Sequence, residues 1–169
     1  MIGKYVSVLL VLLTMTISFA WAEGPKTVIQ WEGEVARYEH LSRQDATNAR
    51  HINALGFAYY KVNRLTDASA AFKKAIALDR NYPVFHNNLG TVYCSLKEYE
   101  KAEHAFRTAL TLDPQYIKAA YNLSVALYRQ QRYRDAYGAY QRAQKIDPEY
   151  TKKRFAASGG RRKVMKIMR

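Results

Sequence analysis

The side chains that most often bind metals or act as nucleophiles are scattered along this chain. The histidines are His40, His51, His86 and His104, and no two of them have metal-ligand spacing on a helix face with a third ligand nearby. Cys94, the one cysteine, lies eight residues from His86 on the same predicted helix. Two helical turns would therefore separate a possible nucleophile from a possible base. The sequence thus predicts neither a metal site nor a cysteine nucleophile.

Other motifs of enzyme chemistry are also lacking. The sequence contains no glycine-rich phosphate loop and no serine elbow. No predicted strand precedes Gly159-Gly160, whose basic neighbours are typical of a flexible tail. Asp79, Asp113 and Asp147 are too regularly spaced to be a catalytic pair and instead mark a repeat. We therefore predict a protein that is not an enzyme, has no cofactor or small-molecule substrate, and acts through its surface.

The positive charge of the chain is concentrated at its C-terminus. The formal net charge is +13 over 169 residues, and residues 151–169 supply eight of these charges without a single acid. Residues 23–150 carry only +4, which is ordinary for a soluble domain. A nucleic-acid partner is therefore unlikely on charge grounds, while the basic tail could contact an anionic membrane surface.

The N-terminus has the three-part layout of a secretory signal peptide. Lys4 gives a positive start, residues 5–19 form an apolar run, and Ala20-Trp21-Ala22 supplies small residues at the positions that a signal peptidase reads. We expect cleavage after Ala22 and a periplasmic or secreted location. The alternative is a membrane anchor formed by an uncleaved signal, although the apolar run is shorter than the ~20 residues that span a bilayer comfortably.

A period of 34 residues organises the middle of the chain, because seven sets of similar residues recur with that spacing. The sets are Leu55, Leu89 and Leu123; Ala68, Ala102 and Ala136; Phe72, Phe106 and Tyr140; Ala75, Ala109 and Ala143; Leu78, Leu112 and Ile146; Asp79, Asp113 and Asp147; and Tyr82, Tyr116 and Tyr150. Such regularity predicts stacked copies of one small structural unit.

The period and its residues resemble the tetratricopeptide repeat, with repeats at 49–82, 83–116 and 117–150. The third repeat departs from the pattern at Ser124, where the family has Gly, and at Leu127, where it has Tyr. The resemblance implies an all-α fold, a right-handed α-solenoid of three helix hairpins. We expect Gly56, Gly90 and Ser124 to let paired helices approach closely. The expected helices span about 49–62, 66–79, 83–96, 100–113, 117–130 and 134–147.

Both ends of the solenoid are expected to be capped. Residues 23–48 contain an amphipathic pattern that predicts an N-terminal capping helix with a linker. Its apolar positions are Val28, Trp31, Val35, Tyr38 and Leu41. Residues 151–169 are expected to hold a short C-terminal cap, with a helix from about Tyr150 to Ser158, and a basic tail.

In this family the first helix of each repeat lines a concave groove, so the resemblance implies a peptide-binding groove here. Asn88 and Asn122 could bond to a bound backbone, and the aromatic groups could supply contact area. The alternative is that the Asn residues are merely the family's common ones and that the Tyr residues pack between helices. The predicted groove residues are Asn53, Phe57, Tyr60, Asn87, Asn88, Thr91, Cys94, Tyr121, Asn122, Val125 and Tyr128.

One known subtype of groove is not expected. Repeat domains that clamp the C-terminal carboxylate of a chaperone use Lys and Asn residues with a final Arg, and this chain keeps only Asn88 and Lys118 of that set. The resemblance therefore implies an exported scaffold that binds a partner protein or peptide, within an envelope assembly. The alternative is a membrane-surface adaptor that uses the basic tail.

Overall fold

The computed structural model describes residues 26–157, and these residues form eight α-helices joined by short turns. The predicted signal peptide and residues 158–169 of the tail lie outside the described residues. The all-α prediction is confirmed, and the six repeat helices begin and end within one residue of the expected positions. The helices are α1 (Val28–Gln44), α2 (Ala49–Lys61), α3 (Leu65–Leu78), α4 (Pro83–Ser95), α5 (Tyr99–Leu112), α6 (Ile117–Arg129), α7 (Tyr133–Ile146) and α8 (Pro148–Ala157).

The turn inside each helix hairpin has the same geometry in all three repeats. Asn63, Lys97 and Gln131 have positive φ values of 63°, 62° and 63°. The next residue in each turn donates its backbone N–H to a carbonyl five residues earlier, as Arg64 does to Tyr59 at 2.9 Å. One residue in the left-handed conformation ends the first helix, and the chain reverses within a few residues. The second helix of each hairpin is thereby directed back along the first.

A glycine and a phenyl ring fix the contact within each of the first two hairpins. A Cβ atom placed on Gly90 would lie 2.6 Å from the ring of Phe106, and one on Gly56 would lie 2.8 Å from Phe72. Both distances are shorter than any relaxed carbon–carbon contact. The predicted close approach at these glycines is therefore confirmed. In the third hairpin Ser124 donates its hydroxyl to the Tyr121 carbonyl at 2.6 Å instead.

The same phenyl rings also connect successive repeats. Phe72 is buried in a cluster with Ala68 of its own helix and with Leu89 and Val92 of the next repeat. Each fully buried Phe contributes about 1.5–3 kcal/mol through the hydrophobic effect. A single hairpin could not bury this surface, so each repeat is stabilised by its neighbour.

Charged side chains join the second and third repeats on the outer helices. The Glu103 carboxylate accepts hydrogen bonds from Arg107 at 2.9 Å, Gln130 at 3.0 Å and Arg132 at 2.7 Å. Partial burial alone would raise the pKa of Glu103, but these donors and the charges of Arg107 and Arg132 outweigh it and lower that pKa below 4.5. Glu103 is therefore ionised at neutral pH and links α5 to the turn between α6 and α7.

The solenoid curves with its first helices on the inside. Helices α2, α4 and α6 contact one another from repeat to repeat, whereas the second helices α3, α5 and α7 approach each other less closely. The surface formed by α2, α4 and α6 is therefore the concave one. Among the helices of residues 26–157, none is both long enough and apolar enough to cross a bilayer.

Helices α1 and α8 cover the two ends of the repeat array. On α1, Val35 is buried and Glu39 accepts a hydrogen bond from the Tyr59 hydroxyl at 2.7 Å. Helix α8 begins at Pro148, earlier than the expected Tyr150, because proline fits the first turn of a helix and Asp147 caps that turn by accepting the Tyr150 N–H at 2.8 Å. Thr151 is the one buried residue of α8.

Candidate functional site

The helical period places a stripe of side chains from each first helix on the concave surface. On α2 these are Asn53, Phe57 and Tyr60, which lie on one helix face because they are spaced by four and three residues. Equivalent positions recur on α4 and α6. We call the whole set the groove floor. It consists of Asn53, Phe57, Tyr60, Asn87, Thr91, Cys94, Tyr121, Val125 and Tyr128.

The members of the groove floor differ in how much surface they offer to a ligand. Phe57 is 40% exposed, which is high for a large apolar side chain. Asn87 and Tyr121 are each only 5% exposed and have little surface to offer. The rings of Tyr121 and Tyr150 have centroids 6.1 Å apart, and the Arg154 guanidinium lies 5.8 Å from the centroid of Tyr121. The remaining members are half-buried, so the accessible floor is centred on Phe57, Thr91 and Val125.

The asparagines on the concave side bond to one another. Asn88 donates its side-chain N–H to the Asn53 oxygen at 2.9 Å, and Asn122 donates to the Asn87 oxygen at 3.0 Å. The Asn87 side-chain nitrogen also lies 3.5 Å from the Asn88 side-chain oxygen, to which it donates. We call Asn53, Asn88, Asn87 and Asn122 the amide ladder. It connects all three repeats, so these amides have a structural role that the sequence analysis missed.

The 35-residue spacing of the ladder asparagines could have predicted their hydrogen bonds from the sequence. Asn53 and Asn88 are separated by one residue more than the repeat period, as are Asn87 and Asn122. The equivalent of Asn53 in the second repeat is Asn87, and Asn53 bonds to the residue that follows it, Asn88. An amide has two donor hydrogens and two acceptor lone pairs, so the half-buried members Asn53, Asn88 and Asn122 keep capacity for a ligand. The ladder therefore holds the first helices in register while leaving polar groups on the groove.

An aromatic cluster closes the N-terminal end of the groove. The ring of Trp31 on α1 meets Phe57 edge-to-face, with 5.5 Å between centroids, and Phe57 is 6.5 Å from Tyr60. The Lys61 ammonium lies 5.6 Å from the centroid of Trp31 and 5.4 Å from that of Phe57. Trp31 thus belongs to the groove end, although the sequence analysis assigned it only to the amphipathic face of a cap.

Cys94 and His86 are the thiol and the imidazole of α4, the middle helix of the groove. Cys94 is half-buried, and burial raises the pKa of its thiol to about 11, with a smaller opposing effect from the Arg129 charge. The thiol is therefore neutral and a weak nucleophile at physiological pH. His86 donates from Nε2 to the Arg80 carbonyl at 2.8 Å. Within residues 26–157, no three His, Cys, Asp or Glu side chains are grouped closely enough to hold a metal ion.

Several solved structures are similar to this chain. The crystal structure of MamA is 22% identical, with a TM-score of 0.68, and the match covers 80% of this chain and 83% of that one. The first TPR domain of Spaghetti (RPAP3), solved with the HSP90 peptide SRMEEVD, is 25% identical with a TM-score of 0.65, covering 73% and 95% of the two chains. The Arabidopsis OM64 TPR domain is 21% identical with a TM-score of 0.59, covering 65% and 95%.

Family models match the repeats themselves. Two models described as tetratricopeptide repeat match residues 83–116 and 117–150, and one described as TPR repeat matches residues 58–96. No curated protein matches the chain. The matched residues run from 58 to 150, more than half of the 169 residues; two of the matches contain the second and third hairpins, and the other runs from within α2 to the end of α4. The chain therefore belongs to the tetratricopeptide repeat family.

Proposed function

We propose that this protein is an exported scaffold that holds a segment of a partner protein in its concave groove, within an assembly of the cell envelope. The observation that carries the proposal is the accessible groove floor, where Phe57, 40% exposed, occupies the position on α2 that half-buried Thr91 and Val125 occupy on α4 and α6. Apolar side chains left open in a concave surface are typical of a binding site.

The rigidity of the groove supports the same proposal. The amide ladder and the buried Phe72 and Phe106 hold the three first helices in fixed positions before any partner binds. A preformed surface loses little conformational freedom on binding, which favours affinity. The similar TPR domain of Spaghetti was solved with a bound peptide, so a groove of this fold can hold one.

Export is supported by the sequence of the N-terminus. The positive start, the apolar run and Ala20-Trp21-Ala22 are those of a signal peptide. Expressed in a bacterial host, the exported protein should have an intact mass that corresponds to a chain beginning at Glu23. A species that retains Met1 and stays with membranes after salt and carbonate washing would favour the uncleaved anchor instead.

The groove is tested by comparing two matched double variants. Phe57→Ala with Val125→Ala removes accessible apolar surface from the groove floor. Tyr137→Ala with Leu112→Ala removes exposed apolar surface from the second helices, where Tyr137 is 46% exposed. We expect proteins captured from an envelope extract to be lost with the first pair and kept with the second. Capture that survives the first pair would contradict a role for the groove.

The basic tail supports a second candidate, the membrane-surface adaptor. Lys152, Lys153 and Arg154 are exposed on α8, and five more cations follow in the sequence without an acid. Such a segment is attracted to anionic lipid by about 1 kcal/mol for each cation near the surface. Removal of residues 158–169 should weaken binding to anionic vesicles and leave protein capture unchanged. If the truncation abolishes capture instead, the tail and not the groove is the protein-binding surface.

A further inference from the structure

Acidic residues are segregated away from the concave surface. Helices α2, α4 and α6 contain no Asp or Glu at all. Every acid between residues 26 and 157 lies on α1, on the second helices, on α8 or in a turn. The groove is thus lined by three helices whose charged side chains are all cationic.

Four cations lie beyond the groove-floor residues, at the two ends of α2 and of α6. Arg50 precedes Asn53 by three residues and Lys118 precedes Tyr121 by three, which places both at the beginnings of their stripes. Lys61 and Arg129 follow Phe57 and Val125 by four residues, at the ends. All four side chains are exposed. We call Arg50, Lys61, Lys118 and Arg129 the rim cations.

The rim cations are not neutralised by carboxylates of the described residues. On the second helices and their turns some cations, such as Arg64 and Arg107, form an ion pair with a nearby carboxylate, and others, such as Lys74, form none with residues 26–157. None of the rim cations takes part in an ion pair within the described part of the chain. Their charge is therefore available to a partner.

The width of the groove floor selects the shape of that partner. Arg50 and Lys61 are eleven residues apart on α2, or about 16 Å, because an α-helix rises about 1.5 Å per residue. A helix with its side chains is about 10–12 Å wide, so acids on its two edges would reach both rims. Side chains of an extended strand point alternately to two opposite sides, so a strand cannot direct apolar groups to the floor and acids to both rims at once.

We propose that the groove accepts an amphipathic α-helix of the partner, with an apolar face flanked on both edges by Asp and Glu. This inference rests on the proposed function, since it names the occupant of the same groove. The apolar face would meet Phe57 and Val125, and the acidic edges would pair with the rim cations. A flat anionic membrane is a poor fit because it cannot reach the floor of a concave surface.

The occupant can be identified by selection from a displayed library of random peptides about five helical turns long, with the exported protein as bait. We expect selected peptides with apolar residues spaced by three and four, acids on both sides of them, and helical circular dichroism that appears on binding. Binding should weaken as salt is raised. The floor variant Phe57→Ala with Val125→Ala should not enrich these peptides.

The charge contribution is measured with a matched pair of quadruple variants. Changing all four rim cations to Gln should weaken a selected peptide by about 30-fold, at two- to threefold for each surface pair. Changing Lys74, Arg80, Arg134 and Lys145 to Gln removes the same charge from exposed positions outside the first helices and should leave the affinity within about twofold. Equal losses in the two variants would overturn the inference.

The other outcomes separate this inference from the proposed function. Peptides that are extended, neutral or basic, and that still require the groove floor, would overturn the acidic helix but keep the groove as a binding site. A selection that gives no peptides, or the same peptides with the floor variant, would overturn both. Tighter binding of a single-stranded oligonucleotide than of any selected peptide at the same salt would identify the rim cations as a nucleic-acid site and also overturn the inference.

Discussion

Replacing Gly90 with alanine tests the contact that fixes the second hairpin. The added Cβ would lie 2.6 Å from the Phe106 ring, about 1 Å closer than a relaxed carbon contact of about 3.5–4.0 Å. Phe106 is fully buried, so its ring cannot move aside into solvent. Overpacking of this kind costs about 1–3 kcal/mol. Alanine recovers about 0.5–1 kcal/mol through its better helix propensity. The free energy of unfolding should therefore fall by about 1–2 kcal/mol.

Gly138 provides the matched control for this prediction. It lies in the interior of α7, and a Cβ there would meet nothing within 4 Å. Gly138→Ala should therefore raise the free energy of unfolding by about 0.5–1 kcal/mol. For a domain of this size the expected Tm changes are roughly 4–8 °C downward for Gly90→Ala and about 2–4 °C upward for Gly138→Ala. Thermal unfolding followed by circular dichroism measures both.

A double-mutant cycle ties the loss to the phenyl ring itself. In a Phe106→Leu background the shorter side chain leaves room for the new methyl group, so Gly90→Ala should cost less than it does in the parent. If Gly90→Ala melts at or above the temperature of Gly138→Ala, or if its cost is the same in both backgrounds, the assigned helix contact is wrong.

Three further perturbations address the ladder, the charge network and the N-terminal helix. Asn122→Ala should lower the free energy of unfolding by about 1 kcal/mol, because the oxygen of buried Asn87 loses its donor; an unchanged urea midpoint would contradict a structural ladder. Glu103→Gln should lower Tm at pH 7, and this difference should disappear as pH falls below 4.5. The reason is that folding lowers the pKa of Glu103, so its carboxylate stabilises the fold above the pKa of the unfolded chain and stops doing so when it is protonated. Burial and the bond to Glu39 raise the pKa of Tyr59 to about 12, so its contribution is present below pH 10 and lost as pH rises towards 12; Tyr59→Phe should melt with a weaker dependence on pH over that range.

The fold could be predicted from the sequence because the residues that recur every 34 positions contact one another inside one repeated unit. Gly56 and Phe72 recur as Gly90 and Phe106, and each pair lies within a single hairpin. A 34-residue period is sufficient to identify such contacts. The intervening αL turn at Asn63 and its equivalents is short, so it leaves little freedom in how the two helices pair.

The groove could be predicted only in part, because its surface depends on contacts between units and at the ends. The period did not predict that the amide of Asn88, which we expected to bind a ligand, also bonds to Asn53 of the preceding repeat. Tyr121 lies on the predicted groove face, where Tyr150 and Arg154 of the terminal helix lie against its ring and leave little of it exposed. Neither the rotation between repeats nor the position of a terminal helix is encoded in the period.

Helix α8 is weakly buried, with Thr151 as its one buried residue, and this affects local unfolding. Each described helix packs chiefly on its neighbours in the chain, so a terminal helix can detach while the rest of the array stays folded. Of the residues of α8 only Thr151 is itself buried, and we therefore expect the amide hydrogens of α8 to exchange with solvent faster than those of α4 and α5. Detachment would also take Tyr150 and Arg154 away from Tyr121. The opened state would then expose one more aromatic ring on the groove floor. The protein would therefore exchange between a shorter groove, with α8 attached, and a longer groove, with α8 detached.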